Sequence, residues 1–222
     1  DMSACLVGSA MCIRASPRSV ASFLQPILAA HCADRVGTCC YSTALEPDGM
    51  TDRLRARATV WRDADTLDDA HLAQRIRADR VGVLVELSGH FSGHRLALMA
   101  LRPAPVQVTY LGYPATSGLT RIDARLVDAH TDPAPGADAL ATERLIRLDP
   151  CFLSYEPPPE APGADEPVSE LPMRRAGHVT FGSFNDLKKL SPESRGAWAA
   201  LLQRVPGSRL ILKNRGFDTP AM

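Results

Sequence analysis

Apolar positions in this chain change their spacing from one segment to the next, and the changes predict alternating helices and strands. Residues 19–30 place Val20, Phe23, Leu24, Ile27 and Leu28 on one face of a helix. Residues 38–42 read as a short strand, and residues 50–58 as a short charged helix. A helix capped by Asp65 or Thr66 runs to Ala78, with Leu72, Ala73 and Ile76 turned inward. Residues 81–87, VGVLVEL, form a β-branched apolar run ended by Ser88 and Gly89. A run without polar alternation predicts a parallel strand buried on both faces. Residues 95–101 make a short helix stopped by Pro103. Residues 106–111 are a strand ending at Gly112, and residues 124–127 and 144–148 are shorter strands.

The pattern then breaks. Between residues 156 and 172 stand Pro157, Pro158, Pro159, Pro162, Pro167 and Pro172 among several acids. Such a stretch reads as an extended linker. Beyond it come a strand over residues 178–182, a helix opened by Ser191 and Pro192, and a strand over residues 209–213. The helix carries Trp198, Leu201, Leu202 and Val205 at helical spacing and ends at Pro206-Gly207. This is one βαβ unit, and two strands cannot close a core of their own. The expected organisation is an α/β region over residues 1–155, a linker over 156–175 and the opening of a second α/β domain over 176–222. A chain that opens at Asp1 and stops at Met222, soon after a single βαβ unit, reads as a piece of a longer protein.

Composition narrows the function classes. The 222 residues are 45% hydrophobic and 23% charged, with 25 basic and 25 acidic residues. Zero formal charge lacks the basic footprint of a nucleic-acid binder. The first residues have no basic region leading an apolar run, and no segment has the apolar length of a membrane span. A soluble, cytoplasmic protein is expected. The six cysteines, at 5, 12, 32, 39, 40 and 151, form no C-x-x-C pair and read as free thiols of a reducing compartment.

Three segments could carry chemistry. Residues 111–118, LGYPATSG, follow a buried strand, where ligands bind in doubly wound sheets. Gly112 and Gly118 allow close backbone approach to a ligand, and Pro114 stiffens the loop. The plain alternative is a β-to-α turn. Residues 182–189, GSFNDLKK, join a strand to a helix N-terminus, a natural anion site beside which a lysine suits a diphosphate. The plain alternative is two solvated lysines. Residues 89–95, GHFSGHR, hold His90 and His94 four apart, but the glycines argue for a loop and no third metal ligand is in view. A metal site is not expected there. The two histidines are expected at the edge of the cleft that the Gly112 loop lines, because both segments follow neighbouring parallel strands.

Taken together, LSGHFSGHRLALMALRPAPVQVTYLGYPATSG, ERLIRLDPCFLSYEPPP, VTFGSFNDLKKLSPES and RVPGSRLILK resemble bacterial members of the O-GlcNAc transferase family in wording, order and spacing. The resemblance is clear from about Met50 onward. It implies a GT-B architecture: a Rossmann-like first domain, and here only the opening βαβ unit of a second Rossmann-like domain, in a parent with tetratricopeptide repeats. It implies inverting, metal-independent transfer of N-acetylglucosamine from UDP-GlcNAc to Ser or Thr of a protein, with no cofactor beyond the nucleotide sugar. By resemblance, Leu111, Gly112 and Pro114 contact the donor side. Asn185 and Asp186 lie near the nucleotide, and Lys189 pairs with the donor phosphates and stabilises the leaving diphosphate.

The sequence also departs from the family. Arg18 stands where members carry a histidine, residues 11–18 match the first strand-loop poorly, and Asp186 replaces a Gln or Asn. With the missing half of the second domain, these departures keep one alternative open: an inactive fragment or non-catalytic interaction module of the same fold. Resemblance to a plant branch of the family that transfers fucose from GDP-fucose keeps a second open, that of a different donor.

Overall fold

The computed structural model describes residues 8–13, 18–32, 35–43, 48–91, 93–157, 167 and 169–214, with side chains left out at 8–13, 18, 19 and 187. The chain divides into two units, Asp1–Glu160 and Ala161–Met222.

The first unit is built on a seven-stranded, all-parallel sheet in the order β3-β2-β1-β4-β5-β6-β7. The strands are β1 (Gly8–Ile13), β2 (Thr38–Ser42), β3 (Val60–Asp63), β4 (Val81–Glu86), β5 (Val106–Thr109), β6 (Ala124–Val127) and β7 (Arg144–Arg147). Helices α1 (Arg18–Ala30), α2 (Gly49–Arg57), α3 (Asp69–Ala78) and α4 (Leu96–Ala100) connect the first five strands. Cys40 and Tyr41 are successive in β2, so their side chains leave opposite faces of the sheet. Cys40 packs with Leu24 and Leu28 of α1 and Leu54 of α2. Tyr41 packs with Leu72 and Ile76 of α3 and Leu98 and Met99 of α4. Helices therefore cover both faces, which is why β4 can be apolar up to its last residue, Glu86. The strand order reverses between β1 and β4, and every strand points its carboxyl end to the same rim.

Two strands were not visible in the hydrophobic pattern. β1, GSAMCI, is rich in small residues and lacks a β-branched run, yet it is an inner strand, hydrogen-bonded to β2 and β4. β3, VWRD, is a four-residue edge strand with only intermediate or exposed positions. Helix α3 also begins later than expected. Its cap is Asp68, whose carboxylate accepts from the His71 amide at 2.8 Å, because Leu67 is first drawn against the core. The other expected elements are present, with ends shifted by at most two residues.

Pro26 lies inside α1 and cannot donate to the Ser22 carbonyl, four residues back. That carbonyl accepts from the Glu156 amide at 3.5 Å instead. The Glu156 carboxylate accepts from Gln25 at 2.8 Å and from Arg57 at 3.0 Å. The residue at which proline composition sets in is thus tied to the first helix.

The second unit holds α5 (Pro172–Ala176), β8 (Thr180–Ser183), α6 (Pro192–Arg204) and β9 (Arg209–Leu212). β8 and β9 pair in parallel from Thr180↔Arg209 to Ser183↔Leu212. Ser191 caps α6 by accepting from the Ser194 amide at 3.2 Å, with Pro192 following at the first helical position. No residue of α6 is buried.

Candidate functional site

The loops after β4 and β5 meet at the carboxyl rim of the first unit. At the end of β4, the buried carboxylate of Glu86 accepts from the Ser88 and Gly89 amides, each at 2.7 Å. Burial pushes this carboxyl upward, and the two amides and Thr109 only partly offset it. After β5 the chain turns sharply. Leu111 has φ +67, and the Gly112 amide donates to the Tyr110 carbonyl two residues back at 2.9 Å. A non-glycine residue in that region carries strain, a feature that gathers at functional loops.

Gly112 sits against the end of β4. A Cβ there would stand 2.1 Å from the Leu87 carbonyl oxygen and 2.9 Å from Ser88 Cα. The close approach expected of this glycine is therefore made to the protein's own backbone. Gly89, at φ +54, is held likewise, since a Cβ on it would meet Tyr113 Cβ at 2.1 Å. The Tyr113 ring stands edge-on to His90, with centroids 5.0 Å apart, and to Phe91 at 5.9 Å. The structure thus brings His90 to the loop that carries Leu111, Gly112 and Pro114. His94 is farther out, with its ring 6.1 Å from that of His90, and its Nδ1 accepts from the Leu96 amide at 3.3 Å. Among the described residues, no group of three or more His, Cys, Asp or Glu stands together as a metal-ligand set.

The far half of the loop is held by Glu143, which precedes β7 and is buried. Its carboxylate accepts from Thr116 Oγ1 at 2.7 Å, from the Ser117 amide at 2.7 Å and from Ser117 Oγ. Burial opposes its charge, but the bonds from Ser117 and Thr116 outweigh burial and keep its carboxyl below the ordinary value. Asp128, at the end of β6, accepts from the His130, Thr131 and Phe152 amides at 2.9, 2.8 and 3.1 Å. Bonds from Thr131 and Phe152 hold it well below the usual carboxylate range. Glu86, Glu143 and Asp128 were not singled out in the sequence. Their only sequence signal is an acid at the end of an apolar strand or just before one, which is also a common solvated position.

Asn185, Asp186 and Lys189 belong to the second unit. The Asp186 carboxylate is engaged locally, accepting from the Lys188 amide at 3.0 Å. The Lys189 amide donates to the Asp186 carbonyl at 2.9 Å, closing a short 3-10 turn over Leu187–Lys189. The Asn185 carbonyl accepts from the Asn214 side chain at 3.1 Å. The Lys189 side chain is exposed at the end of this turn, two residues before the α6 cap. Arg18 opens α1, and its side chain lies outside the described residues.

The family model described as glycosyl transferase family 41 matches residues 12–154, nearly the whole first unit. The chain belongs to glycosyl transferase family 41. Curated relatives agree. A tomato (Solanum lycopersicum) protein named probable UDP-N-acetylglucosamine–peptide N-acetylglucosaminyltransferase SPINDLY is 43% identical over 203 residues, 90% of this chain and 21% of its own length. The SPINDLY of Arabidopsis thaliana is 41% identical over the same length, covering 22% of that protein. The SEC protein of Arabidopsis thaliana is 29% identical over 187 residues, 82% of this chain and 19% of its own length. A solved mutant of the Thermobaculum terrenum O-GlcNAc transferase matches with a TM-score of 0.86 at 39% identity. That match covers 97% of this chain and 40% of the other. The family 41 chain described here thus spans about a fifth of the curated relatives it matches. Among its described residues, no helix is long and apolar enough to cross a membrane.

Proposed function

We propose that this chain is part of a protein O-glycosyltransferase that moves N-acetylglucosamine from UDP-GlcNAc to a Ser or Thr hydroxyl of a polypeptide, with inversion at the anomeric carbon. The observation that carries the reading is the loop over residues 111–118. It lies within the family match, at the carboxyl rim of the sheet, and is fixed by a backbone packing that admits no side chain at Gly112. Names of relatives at 40% identity and above point to the same donor and to a peptide acceptor.

In this reading the acceptor hydroxyl oxygen attacks the anomeric carbon as the bond to the diphosphate breaks, its proton is released to solvent, and UDP leaves. Leu111, Gly112 and Pro114 flank the sugar. Asn185 and Asp186 stand near the nucleotide. Lys189 places a fixed cation beside charge that develops on the leaving diphosphate, a device that acts only as the bond breaks. The reading requires neither metal nor cofactor, only the nucleotide sugar as co-substrate. The setting proposed is cytoplasmic and away from membranes, and the zero formal charge fits the lack of a nucleic-acid partner.

The test is release of UDP from UDP-GlcNAc in the presence of acceptor polypeptides, with mass spectrometry of Ser and Thr. N-acetylhexosamine on those residues is the expected outcome. Transfer from GDP-fucose and not from UDP-GlcNAc would overturn the donor assignment. Failure to bind or cleave either nucleotide sugar would favour a non-catalytic module of this fold.

A further inference from the structure

The segment after β4 and the loop after β5 stay in contact beyond the last paired residues of the two strands, Glu86 and Thr109. Gly112 lies on the Leu87 carbonyl, and Tyr113 lies on Gly89. Gly89 is at φ +54, and a Cβ on it would stand 2.1 Å from Tyr113 Cβ and 3.1 Å from Tyr113 Cγ. Only glycine both adopts that backbone readily and leaves room for the tyrosine. Farther out, the Tyr113 ring is met edge-on by His90 and Phe91, an attractive arrangement of rings. Glu86 ties both segments at their roots. Its carboxylate accepts from the Ser88 and Gly89 amides, and its carbonyl accepts from the Tyr110 amide at 2.9 Å.

Three features give this contact a purpose beyond filling space. Tyr113 belongs to neither hydrophobic cluster of the core. Among the described residues its hydroxyl has no hydrogen-bond partner, so the ring and Cβ alone make the contact. The loop that it holds contains Leu111 at φ +67, a strained backbone for a leucine. Such a conformation persists only where its surroundings over-determine it. Gly112 on Leu87 supplies one restraint, and Tyr113 on Gly89 supplies the next.

We propose that Tyr113 is a positioning residue for the nucleotide-sugar donor: packed on Gly89, it fixes the loop so that Leu111, Gly112 and Pro114 flank the sugar, and it does not itself touch the donor. The proposal rests on the transferase reading above, and it adds what sets the geometry of that site. Loose positioning is costly, since a displacement of about 1 Å lowers turnover on the order of 100-fold.

The test is steady-state kinetics of the full-length parent on UDP-GlcNAc, with UDP as the competing product. Tyr113→Phe keeps the ring and should leave kcat and KM within about twofold of the wild type, because the hydroxyl has no partner. Tyr113→Gly and Gly89→Ala should each raise KM for UDP-GlcNAc by roughly tenfold or more. The inhibition constant of UDP should stay within about twofold, because UDP lacks the sugar that the loop flanks. A merely destabilised enzyme would lose active protein, lowering kcat and leaving KM where it was. The two changes should also be coupled, since Tyr113→Gly removes the Cβ that an alanine at position 89 would strike. The double variant should raise KM no more than about threefold above Tyr113→Gly alone, whereas independent effects would multiply to roughly 100-fold. Gly89→Ala brings backbone strain of its own, so the Phe and Gly variants of Tyr113 carry the decision. Hydrogen exchange of this chain over residues 110–118, read without substrate, should be faster in Tyr113→Gly and unchanged in Tyr113→Phe. Normal turnover with KM unmoved in Tyr113→Gly, or a Tyr113→Phe as damaging as Tyr113→Gly, would overturn the positioning role and leave the transferase reading intact. A wild-type parent that binds neither UDP nor UDP-GlcNAc would overturn that reading, and the donor role of Tyr113 with it.

Discussion

Gly112 lies so close to Leu87 that a Cβ on the glycine would stand 2.1 Å from the leucine carbonyl oxygen. Neither partner can yield cheaply, because Leu87 is buried and follows the central strand β4. Gly112→Ala is therefore expected to destabilise the chain by about 1–3 kcal/mol, the usual range for overpacking. Thermal denaturation should show a fall of several degrees. Gly37→Ala is the control, since a Cβ at Gly37 meets nothing within 4 Å and should leave the melting temperature nearly unchanged.

Glu86 and Glu143 hold neighbouring loops yet should respond to pH in opposite directions. The Glu143 carboxyl is lowered by folding, so its contribution is complete above the ordinary glutamate value of 4.5 and is lost as pH falls below it. The Glu86 carboxyl is raised by folding, so the folded state is favoured at low pH and loses ground as pH rises above 4.5. Glu143→Gln should flatten the acid side of a stability–pH curve, and Glu86→Gln should flatten the decline above 4.5. Glu86→Gln also leaves one of the Ser88 and Gly89 amides without its acceptor. A cost of about 1–3 kcal/mol is expected, with faster hydrogen exchange confined to those amides.

Lys189 is exposed, so Lys189→Ala should change stability by less than about 0.5 kcal/mol, as surface substitutions usually do. In the full-length parent its turnover should fall by roughly 100- to 1,000-fold, the usual cost of one lost charge-stabilising group. Steady-state kinetics on UDP-GlcNAc, with circular dichroism of both proteins, checks the pair of outcomes. Unchanged turnover would remove Lys189 from the phosphate role.

The second unit should not fold by itself. Its sheet has two strands, and Phe184, Leu201, Ile211 and Leu212 are 74%, 38%, 52% and 37% exposed. Two strands and two helices, one of them only five residues long, bury too little apolar surface for independent stability. Residues 161–222 expressed alone should give a broad melt without a cooperative transition, measured by circular dichroism.

Most of the parallel sheet could be read from the chain because its buried strands announce themselves. β4 is apolar on both faces, and Ser191-Pro192 is a cap that local chemistry alone specifies. β1 and β3 could not be read that way. One owes its place to pairing on both sides rather than to its own side chains, and the other is a short edge strand. The Gly112 loop was legible as a special turn, but what approaches the glycine was not, because Leu87 and Gly112 are joined only by the pairing of β4 with β5. Glu86 and Glu143 were hidden for the same reason. A buried acid looks like a solvated one until the amides that it accepts from have been placed.

The position of β1 has a further consequence. The first described strand is the third of seven and is paired on both sides, so it lies inside the sheet and not at an edge. Without Gly8–Ile13, the sheet would fall into a two-stranded ribbon, β2 with β3, and a four-stranded remnant, β4 to β7. Each would bare a fresh hydrogen-bonding edge of the kind that recruits other chains. Trimming to the family boundary at residue 12 would remove most of this strand. The few residues upstream of that boundary are the seam that keeps the two halves of the sheet from becoming sticky surfaces.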